Sequence, residues 1–185
     1  MLTTVTPRET SRSTWSIDPS HSTVEFGVKH LVFTTQKGRF AALKGDIVLD
    51  EADLSQSSVT AEIDAASVDT GNAERDAHLR SADFLDAETY PTLSFRSTSI
   101  QPTADGRSRI AGDLTIRGVM REVVLDAEYN GRVQDPWGGT RAGFSATAAI
   151  DRRDFGLSWN VPLEAGGLLV GDQVKVSLEI EAIKQ

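Results

Sequence analysis

Apolar and polar residues alternate with a period of two in segment after segment of this chain. Val24, Phe26 and Val28 alternate with polar or small neighbours, and Leu114 and Ile116 do the same in a later segment. Such alternation places every second side chain on one face, which is typical of β-strands buried on one side only. We count eight or nine such segments, which predicts one all-β, antiparallel domain.

Turn and helix signals separate these segments. Asp-Gly at 105–106 is typical of a tight hairpin turn. The stretch NAERDAHLR at 72–80 begins with a good helix-capping residue and continues with helix formers, which predicts a short helix between strands. Asp76 and Arg80 are spaced for an ion pair on that helix. A second short helix is predicted at 81–88, so the expected fold has one or two.

Antiparallel strands with one apolar face close either as a sandwich or as a barrel. A barrel of about eight strands is just wide enough to be filled by side chains or to hold one elongated ligand. Small residues on the inward stripes leave space for a cavity, or they mark places where two walls approach closely. Both interpretations stay open for Ala61, Ala127, Ala146, Ala148 and Ala182.

Length and composition restrict the class of protein further. The chain has 185 residues, enough for one domain, which we place at 14–185 after a polar, flexible leader at 1–13. The 19 basic and 27 acidic residues give a net charge of −8, which argues against nucleic acid as a partner. The absence of cysteine excludes disulfides and thiolate metal sites. No secretory signal and no integral membrane segment is visible, so a soluble, cytoplasmic protein is expected.

Five stretches together are similar to one family, in its order and spacing from Trp15 to Ala182. They are IDPSHSTVEFGVKH (17–30), DAASVDTGNAERDAHLRSADF (64–84), YPTLSFRST (90–98), GDLTIRGV (112–119) and IDRRDFGLSWN (150–160). On these stretches the chain resembles the YceI-like family of lipocalin-like, polyisoprenoid-binding proteins.

The resemblance implies an extended, lipocalin-like antiparallel β-barrel of about eight strands around a long apolar tunnel. It also implies carriage of an isoprenoid or another long-chain lipid, such as a polyprenyl phosphate or a quinone, by a protein that often forms a homodimer. No catalytic activity is implied. The chain departs from the family pattern at Leu85, where a second Phe is common, and at 120–122, where Met-Arg-Glu replaces Thr-Lys-Pro. Many members are exported, whereas no secretory signal peptide is visible in this sequence.

We expect large rings to line the inside of the barrel or its mouth, and inward-facing residues of the alternating segments to contact the lipid. Ligand sites are mostly apolar walls with few polar groups. Each of these residues also fits an ordinary core position. The predicted lipid-binding residues are Phe26, Val28, His30, Phe33, Phe40, Phe84, Leu114, Ile116, Phe144, Ala146, Ala148 and Trp159.

Four polar residues are candidates for contacting a lipid head group: His30, Arg75, His78 and Arg153. His30 continues the inward parity of its strand, so it is either a core histidine hydrogen-bonded to backbone or to Ser22, or a head-group contact. A planar guanidinium such as that of Arg75 suits an anionic head group. The alternative for Arg75 and His78 is packing that fixes the helix on the barrel, and for Arg153 it is a solvated loop.

The sequence offers little support for catalysis or for a cofactor. No two of the three histidines have the i,i+2 or i,i+4 spacing of a local metal-ligand pair, and no metal is expected. No nucleophile elbow or phosphate-binding glycine loop occurs. The leading hypothesis is therefore a non-enzymatic lipid carrier. The alternatives are an enzyme for a small apolar substrate with His30 as acid or base, and a filled-core structural or interaction module.

Overall fold

The computed structural model describes residues 12–185. Almost every segment predicted from the alternation of apolar and polar residues forms a strand. The strands are β1 (Arg12–Ile17), β2 (Thr23–His30), β3 (Thr34–Phe40), β4 (Leu43–Asp50), β5 (Ser58–Asp64), β6 (Val68–Asp69), β7 (Thr92–Pro102), β8 (Arg107–Ile116), β9 (Val119–Gln134), β10 (Thr140–Asp151) and β11 (Val170–Lys184). The helices are α1 (Ala73–Arg80) and three short 3-10 helices at Leu54–Gln56, Ala65–Ser67 and Arg152–Phe155. None of the helices described is long and apolar enough to cross a membrane.

Eight strands close into an antiparallel barrel in the order β1-β4-β5-β7-β8-β9-β10-β11. Pairing of β1 with β11, in which Ile17 lies opposite Ala182, completes the ring. Closure removes the exposed strand edges that an open sheet would present. The predicted all-β, lipocalin-like barrel is confirmed.

The remaining strands prolong one side of the barrel. β11 is long enough to pair with β1 near its C-terminal end and with β2 between Val170 and Glu179. β2 pairs with β3, and β3 pairs with β6 at Arg39 and Phe40. After β6 the chain enters α1. The strands β2, β3 and β6 therefore extend the wall from the closed ring to the helix.

The predicted helix at 72–80 is confirmed, but its predicted ion pair is wrong. The Asn72 side chain caps α1 by accepting a hydrogen bond from the backbone N–H of Arg75 at 2.9 Å. Asp76 is buried and accepts hydrogen bonds from the backbone N–H and hydroxyl of Thr70. Arg80 donates to the carbonyls of Ala66 and Val68 instead. Both side chains therefore fix the chain that leads into α1 rather than each other.

The second predicted helix, at 81–88, does not form. Ser81 ends α1, and the chain continues through turns in which Asp86 has a positive φ. Phe84 and Leu85 are buried there, so packing of these two side chains overrides the helical propensity of the segment. At the N-terminus, Arg12 and Ser13 already belong to β1, and the rest of the predicted leader lies outside the described residues.

Two clusters of buried residues lie at opposite ends of the barrel. One surrounds Trp15, which is fully buried, and includes Ile47 and Leu49 from β4. The other surrounds Phe155 and includes Phe84 from the turns after α1 and Ile116 from β8. We call the latter the α1 end of the barrel, and it also contains residues 151–170 and the β2–β3 turn.

Candidate functional site

A cavity of about 510 Å³ runs between the two clusters. Its residues range from Leu54 at one end of the barrel to Arg75 and His78 on α1 at the other. Its surface is almost entirely apolar, and its size lies within the range of small-molecule binding sites. The barrel is therefore not filled by its own side chains, which contradicts the filled-core alternative.

Strand alternation builds the walls of this cavity. Phe144, Ala146 and Ala148 on β10 all line it, and so do Val176 and Leu178, which lie opposite the two alanines on β11. The two interpretations of the small residues apply to different positions. Ala61 and Ala127 also line the cavity, whereas Ala182 is fully buried in the Trp15 cluster. Small side chains thus make space in the middle of the barrel and allow close packing at its end.

Eleven of the twelve predicted lipid-binding residues line the cavity. Their contact with a ligand stays a prediction, because the geometry establishes only that they face the same space. The eleven are Phe26, Val28, His30, Phe40, Phe84, Leu114, Ile116, Phe144, Ala146, Ala148 and Trp159.

The twelfth residue, Phe33, does not belong to the cavity. β2 ends at His30 and β3 begins at Thr34, so Phe33 lies in the turn between them and is almost fully exposed. Its prediction rests on its large ring and not on strand parity, because Phe33 lacks the parity of Phe26, Val28 and His30. The prediction that Phe33 lines the inside of the barrel is wrong, and the residue lies beside the α1 end of the cavity.

Three of the four head-group candidates border the α1 end of the cavity: His30, Arg75 and His78. Arg75 is exposed and has no ion-pair partner anywhere in residues 12–185. His78 is fixed by Asp83, whose carboxylate lies 2.9 Å from its Nε2 atom, and by edge-on contact with Phe84. The free guanidinium is therefore the group best able to meet an anion at this end.

Arg153, the fourth candidate, does not reach the cavity. Its guanidinium lies 3.2 Å from Asp151 and 3.3 Å from Asp172 on the outer surface. The hydrogen bonds and charge of Asp151 raise the pKa of Arg153 above its ordinary value. Both carboxylates already occupy its donors, so Arg153 is corrected to a surface ion pair.

A close approach between strands shapes the wall at Phe26. Its ring lies 5.6 Å from that of Phe40 and covers Gly38 on the neighbouring strand β3. A Cβ atom on Gly38 would lie 2.4 Å from the Phe26 ring. Glycine at 38 therefore makes room for the Phe26 ring between the two strands.

Arg152 is a site residue that the sequence does not reveal, because a run of charged residues such as 152–154 is typical of a solvated loop. It is buried, and its guanidinium donates to the carbonyls of Leu157, Trp159 and Gly171. Gly171 lies in a stretch of β11 where pairing with β2 is interrupted, so its carbonyl needs a donor from outside the sheet. Burial lowers the pKa of Arg152 below its ordinary value. Arg152 thus fixes the segment that carries Trp159 to the wall.

Tyr129 is a second residue missing from the predicted site, although its strand was recognised. It stacks on Phe144 with ring centroids 5.2 Å apart and lines the cavity far from α1. Its hydroxyl donates to Glu51 at 3.3 Å, and burial raises the pKa of Tyr129. The alternation at 123–129 contained the signal, because Tyr129 shares the parity of Ala127.

Comparison with known protein families agrees with the barrel and its cavity. A family model described as the YceI-like domain matches residues 15–182. The chain belongs to the YceI-like family. The match includes residues of every barrel strand, and every cavity residue named above lies within it.

Curated relatives of this YceI-like protein are UPF0312 proteins of Vibrio species. One from Vibrio cholerae is 43% identical over 138 residues, which cover 75% of this chain and 73% of the relative. One from Vibrio vulnificus is 38% identical over 166 residues, which cover 90% of this chain and 84% of the relative.

Solved structures share the fold of this YceI-like protein. The YCEI protein of Campylobacter jejuni is 31% identical, with a TM-score of 0.70 over 85% of this chain and 90% of its own. BcnA of Burkholderia cenocepacia has a TM-score of 0.77 at 24% identity and covers 89% of this chain and 98% of its own. A polyisoprenoid binding domain from Saccharophagus degradans has a TM-score of 0.65 at 18% identity over 92% and 98%. The last two show likeness of fold alone.

One further cluster of titratable groups lies outside the cavity of this YceI-like protein. Asp18, His21 and Glu181 bring three potential metal ligands together where β1 meets β11. However, the Arg141 guanidinium lies 2.7 Å from Asp18 and also contacts Glu181, so it occupies the place of a cation between the carboxylates. Hydrogen bonds from Ser20, His21 and Arg141 hold the pKa of Asp18 well below its usual range. The cluster is an ion-pair network that joins β1, β10 and β11.

Proposed function

We propose that this YceI-like protein is a non-enzymatic carrier that encloses the chain of an apolar lipid in its barrel. The observation that carries the proposal is the unfilled 510 Å³ cavity with apolar walls. Each methylene group moved from water into such a site contributes roughly 0.8 kcal/mol. Part of that free energy is offset by ordering of the lipid and by association. A long apolar chain therefore supplies the free energy of binding without any polar contact along the walls.

The lipid class that fits best is a polyisoprenoid or an isoprenoid quinone. Branched methyl groups suit walls in which alanines at 61, 127, 146 and 148 alternate with large side chains. The Saccharophagus degradans protein of the same fold is described as a polyisoprenoid binding domain. Because that likeness concerns the fold alone, the isoprenoid class rests mainly on membership of the YceI-like family.

The polar end of the lipid would lie at the α1 end of the cavity. Arg75 offers five N–H donors without a competing carboxylate, and His30 offers ring nitrogens that form no hydrogen bond within the described residues. A phosphate would pair with Arg75, whereas a quinone carbonyl needs only one donor. Retention of lipid by an Arg75→Ala variant distinguishes the two, because loss of the guanidinium weakens only the anionic class strongly.

The direct test is gentle organic extraction of freshly purified protein, followed by mass analysis of the extract. The proposal predicts an isoprenoid-type lipid at about one molecule per barrel, with native mass spectrometry showing the same mass difference on the intact protein. The control for lipid bound to the outer surface is the Ala148→Trp variant, which is purified and extracted in parallel. Protein with no associated lipid, and a native mass equal to that of the polypeptide, would contradict the proposal.

A further inference from the structure

An exposed apolar patch lies at the β2–β3 turn, beside the α1 end of the cavity. Leu31, Val32 and Phe33 are 36%, 74% and 87% exposed. Two further apolar side chains, Val161 and Leu168, belong to the adjoining segment and are also exposed. Backbone hydrogen bonds hold the segments together, because the Leu31 N–H donates to the carbonyl of Leu169 at 2.9 Å. Half of the ten large apolar side chains exposed in residues 12–185 therefore lie in this patch.

The backbone of the turn makes these side chains more unusual. Leu31 and Val32 have φ angles of 52° and 69°, in the left-handed region that favours glycine and asparagine. Hairpin turns with positive φ usually carry Asn-Gly or a similar pair, and a β-branched residue such as Val32 is disfavoured there. The turn thus holds apolar side chains at positions where neither its conformation nor burial favours them. Strain of this kind is typical of functional segments.

Three of the five lysines of the chain lie on β2, β3 and β11, the strands next to the patch, although the net charge is −8. Lys29 directly precedes His30, and its Cβ atom packs near Gly171. Lys37 and Lys175 lie on either side of Gly27 in the register of β3, β2 and β11, so they share the outer face of the sheet. None of the three forms an ion pair in the part of the chain that the structure describes.

We propose that the β2–β3 turn docks this protein on the surface of an anionic lipid bilayer. Leu31, Val32 and Phe33 would enter the boundary between head groups and acyl chains, while the three lysines meet lipid phosphates. Apolar insertion combined with attraction of basic side chains is the usual mode of binding to an anionic membrane surface. With the patch against the bilayer, the opposite end of the barrel would point away from it.

Docking in this orientation would bring the cavity to the membrane, a consequence that rests on the proposed lipid-carrier function. His30 at the end of β2 and Leu169 beside Leu31 both line the cavity. The patch is therefore continuous with its α1 end. A second copy of this chain is a poorer occupant, because a two-fold contact through the patch would bring the lysines of both copies together.

Sedimentation with phospholipid vesicles tests the proposal. We expect the wild type to bind vesicles of three parts phosphatidylcholine to one part phosphatidylglycerol, and to bind pure phosphatidylcholine much less. Phe33→Ser should weaken binding to the anionic vesicles roughly tenfold or more, since no aromatic ring would then enter the bilayer at this position. The matched control is Trp137→Ser, which removes an equally exposed ring from the β9–β10 loop at the opposite end of the barrel and should leave binding unchanged.

Two further variants separate docking from folding. Leu31→Asn combined with Val32→Gly suits the left-handed turn, so it should raise the melting temperature and still weaken vesicle binding. Lys29→Gln, Lys37→Gln and Lys175→Gln together should weaken binding and its dependence on salt. Lys44→Gln is the control for charge, because Lys44 lies on β4, which pairs with none of β2, β3 and β11, and is neutralised by Glu62.

The docking proposal would be overturned if the wild type did not bind anionic vesicles. It would also be overturned if Phe33→Ser protein bound them as strongly as the wild type. Sedimentation velocity showing that Phe33→Ser only converts a homodimer into a monomer would likewise overturn it, since the patch would then bind a second copy. Lipid content is measured on the same preparations. Phe33 lies outside the cavity, so Phe33→Ser should keep its co-purified lipid, and absence of lipid from every preparation would contradict the carrier function alone.

Discussion

The imidazole of His78 meets the indole of Trp159 edge-on, with ring centroids 4.5 Å apart. Phe84 contacts both rings, at 5.0 Å from His78 and 5.4 Å from Trp159. Edge-to-face contacts of this kind add to the free energy of burying the rings. The three side chains come from α1, from the turns that follow it and from the segment before β11, so this contact closes the α1 end of the cavity.

Replacing Trp159 with Ala removes the ring that His78 and Phe84 share. We expect a loss of roughly 2–4 kcal/mol in the free energy of unfolding, measured by urea denaturation, together with faster loss of bound lipid. Trp137→Ala is the control, because the exposed Trp137 ring supports no wall. Equal effects of the two substitutions would show that the Trp159 contacts do not hold the end of the barrel closed.

Arg152→Met is expected to be strongly destabilising, by about 3 kcal/mol, because it leaves several buried carbonyls without a donor. Arg153→Met should change the free energy of unfolding by less than about 0.5 kcal/mol, since the exposed Arg153 forms only surface ion pairs. Thermal unfolding of both variants makes the comparison. A tolerated Arg152→Met substitution would mean that residues 157–171 keep their position without it.

Stability should fall below about pH 4 through the Asp18 network. Hydrogen bonds from Ser20, and then from His21 and Arg141, lower the pKa of Asp18 in the folded state below the ordinary 3.8. A lowered folded-state pKa stabilises the protein above the unfolded pKa, and this contribution is lost as pH falls through the folded one. Asp18→Asn should therefore reduce the melting temperature most at pH 7, and the reduction should shrink progressively as the pH falls below about 4. A constant difference between variant and wild type across this range would exclude the mechanism.

His30→Ala distinguishes a cavity-wall residue from a core histidine. The predicted hydrogen bond to Ser22 is absent, since the Ser22 hydroxyl donates to the carbonyl of Glu181 instead. We therefore expect a change in stability below about 1 kcal/mol, with altered lipid retention. A large fall in melting temperature would indicate a structural role. The enzyme alternative would be favoured if the protein turned over an apolar substrate, if the rate changed with pH near the histidine pKa, and if the variant lacked this activity.

Sequence periodicity predicted the barrel and most of its inner wall because a strand has only two faces. Once Phe26 is assigned to the inside, Val28 and His30 follow, and the cavity lining confirms these directions. The rule ends where the strand ends and does not apply to Phe33, whose prediction rests on its large ring alone. Periodicity contains no information about how a turn points its side chains.

Contacts between distant segments were not predictable in the same way. Arg152 binds carbonyls of residues 157, 159, 170 and 171, and nothing in the sequence around Arg152 distinguishes it from its exposed neighbour Arg153. Asp76 has the spacing for an ion pair with Arg80, yet its partner is Thr70, which precedes the helix. Such partners depend on where the folded chain returns, not on local spacing.

The central claim is that the barrel holds a lipid where a filled core would hold side chains, and Ala148→Trp tests it most directly. Ala148 lines the cavity, whereas its neighbour Ala149 is exposed, so Ala149→Trp is the matched control. A filled core would respond to Ala148→Trp with strain of roughly 1–3 kcal/mol. We predict that Ala148→Trp protein keeps its melting temperature and loses the co-purified lipid seen by native mass spectrometry, while Ala149→Trp protein retains it. A destabilised Ala148→Trp variant, with no lipid on the wild type, would contradict the claim.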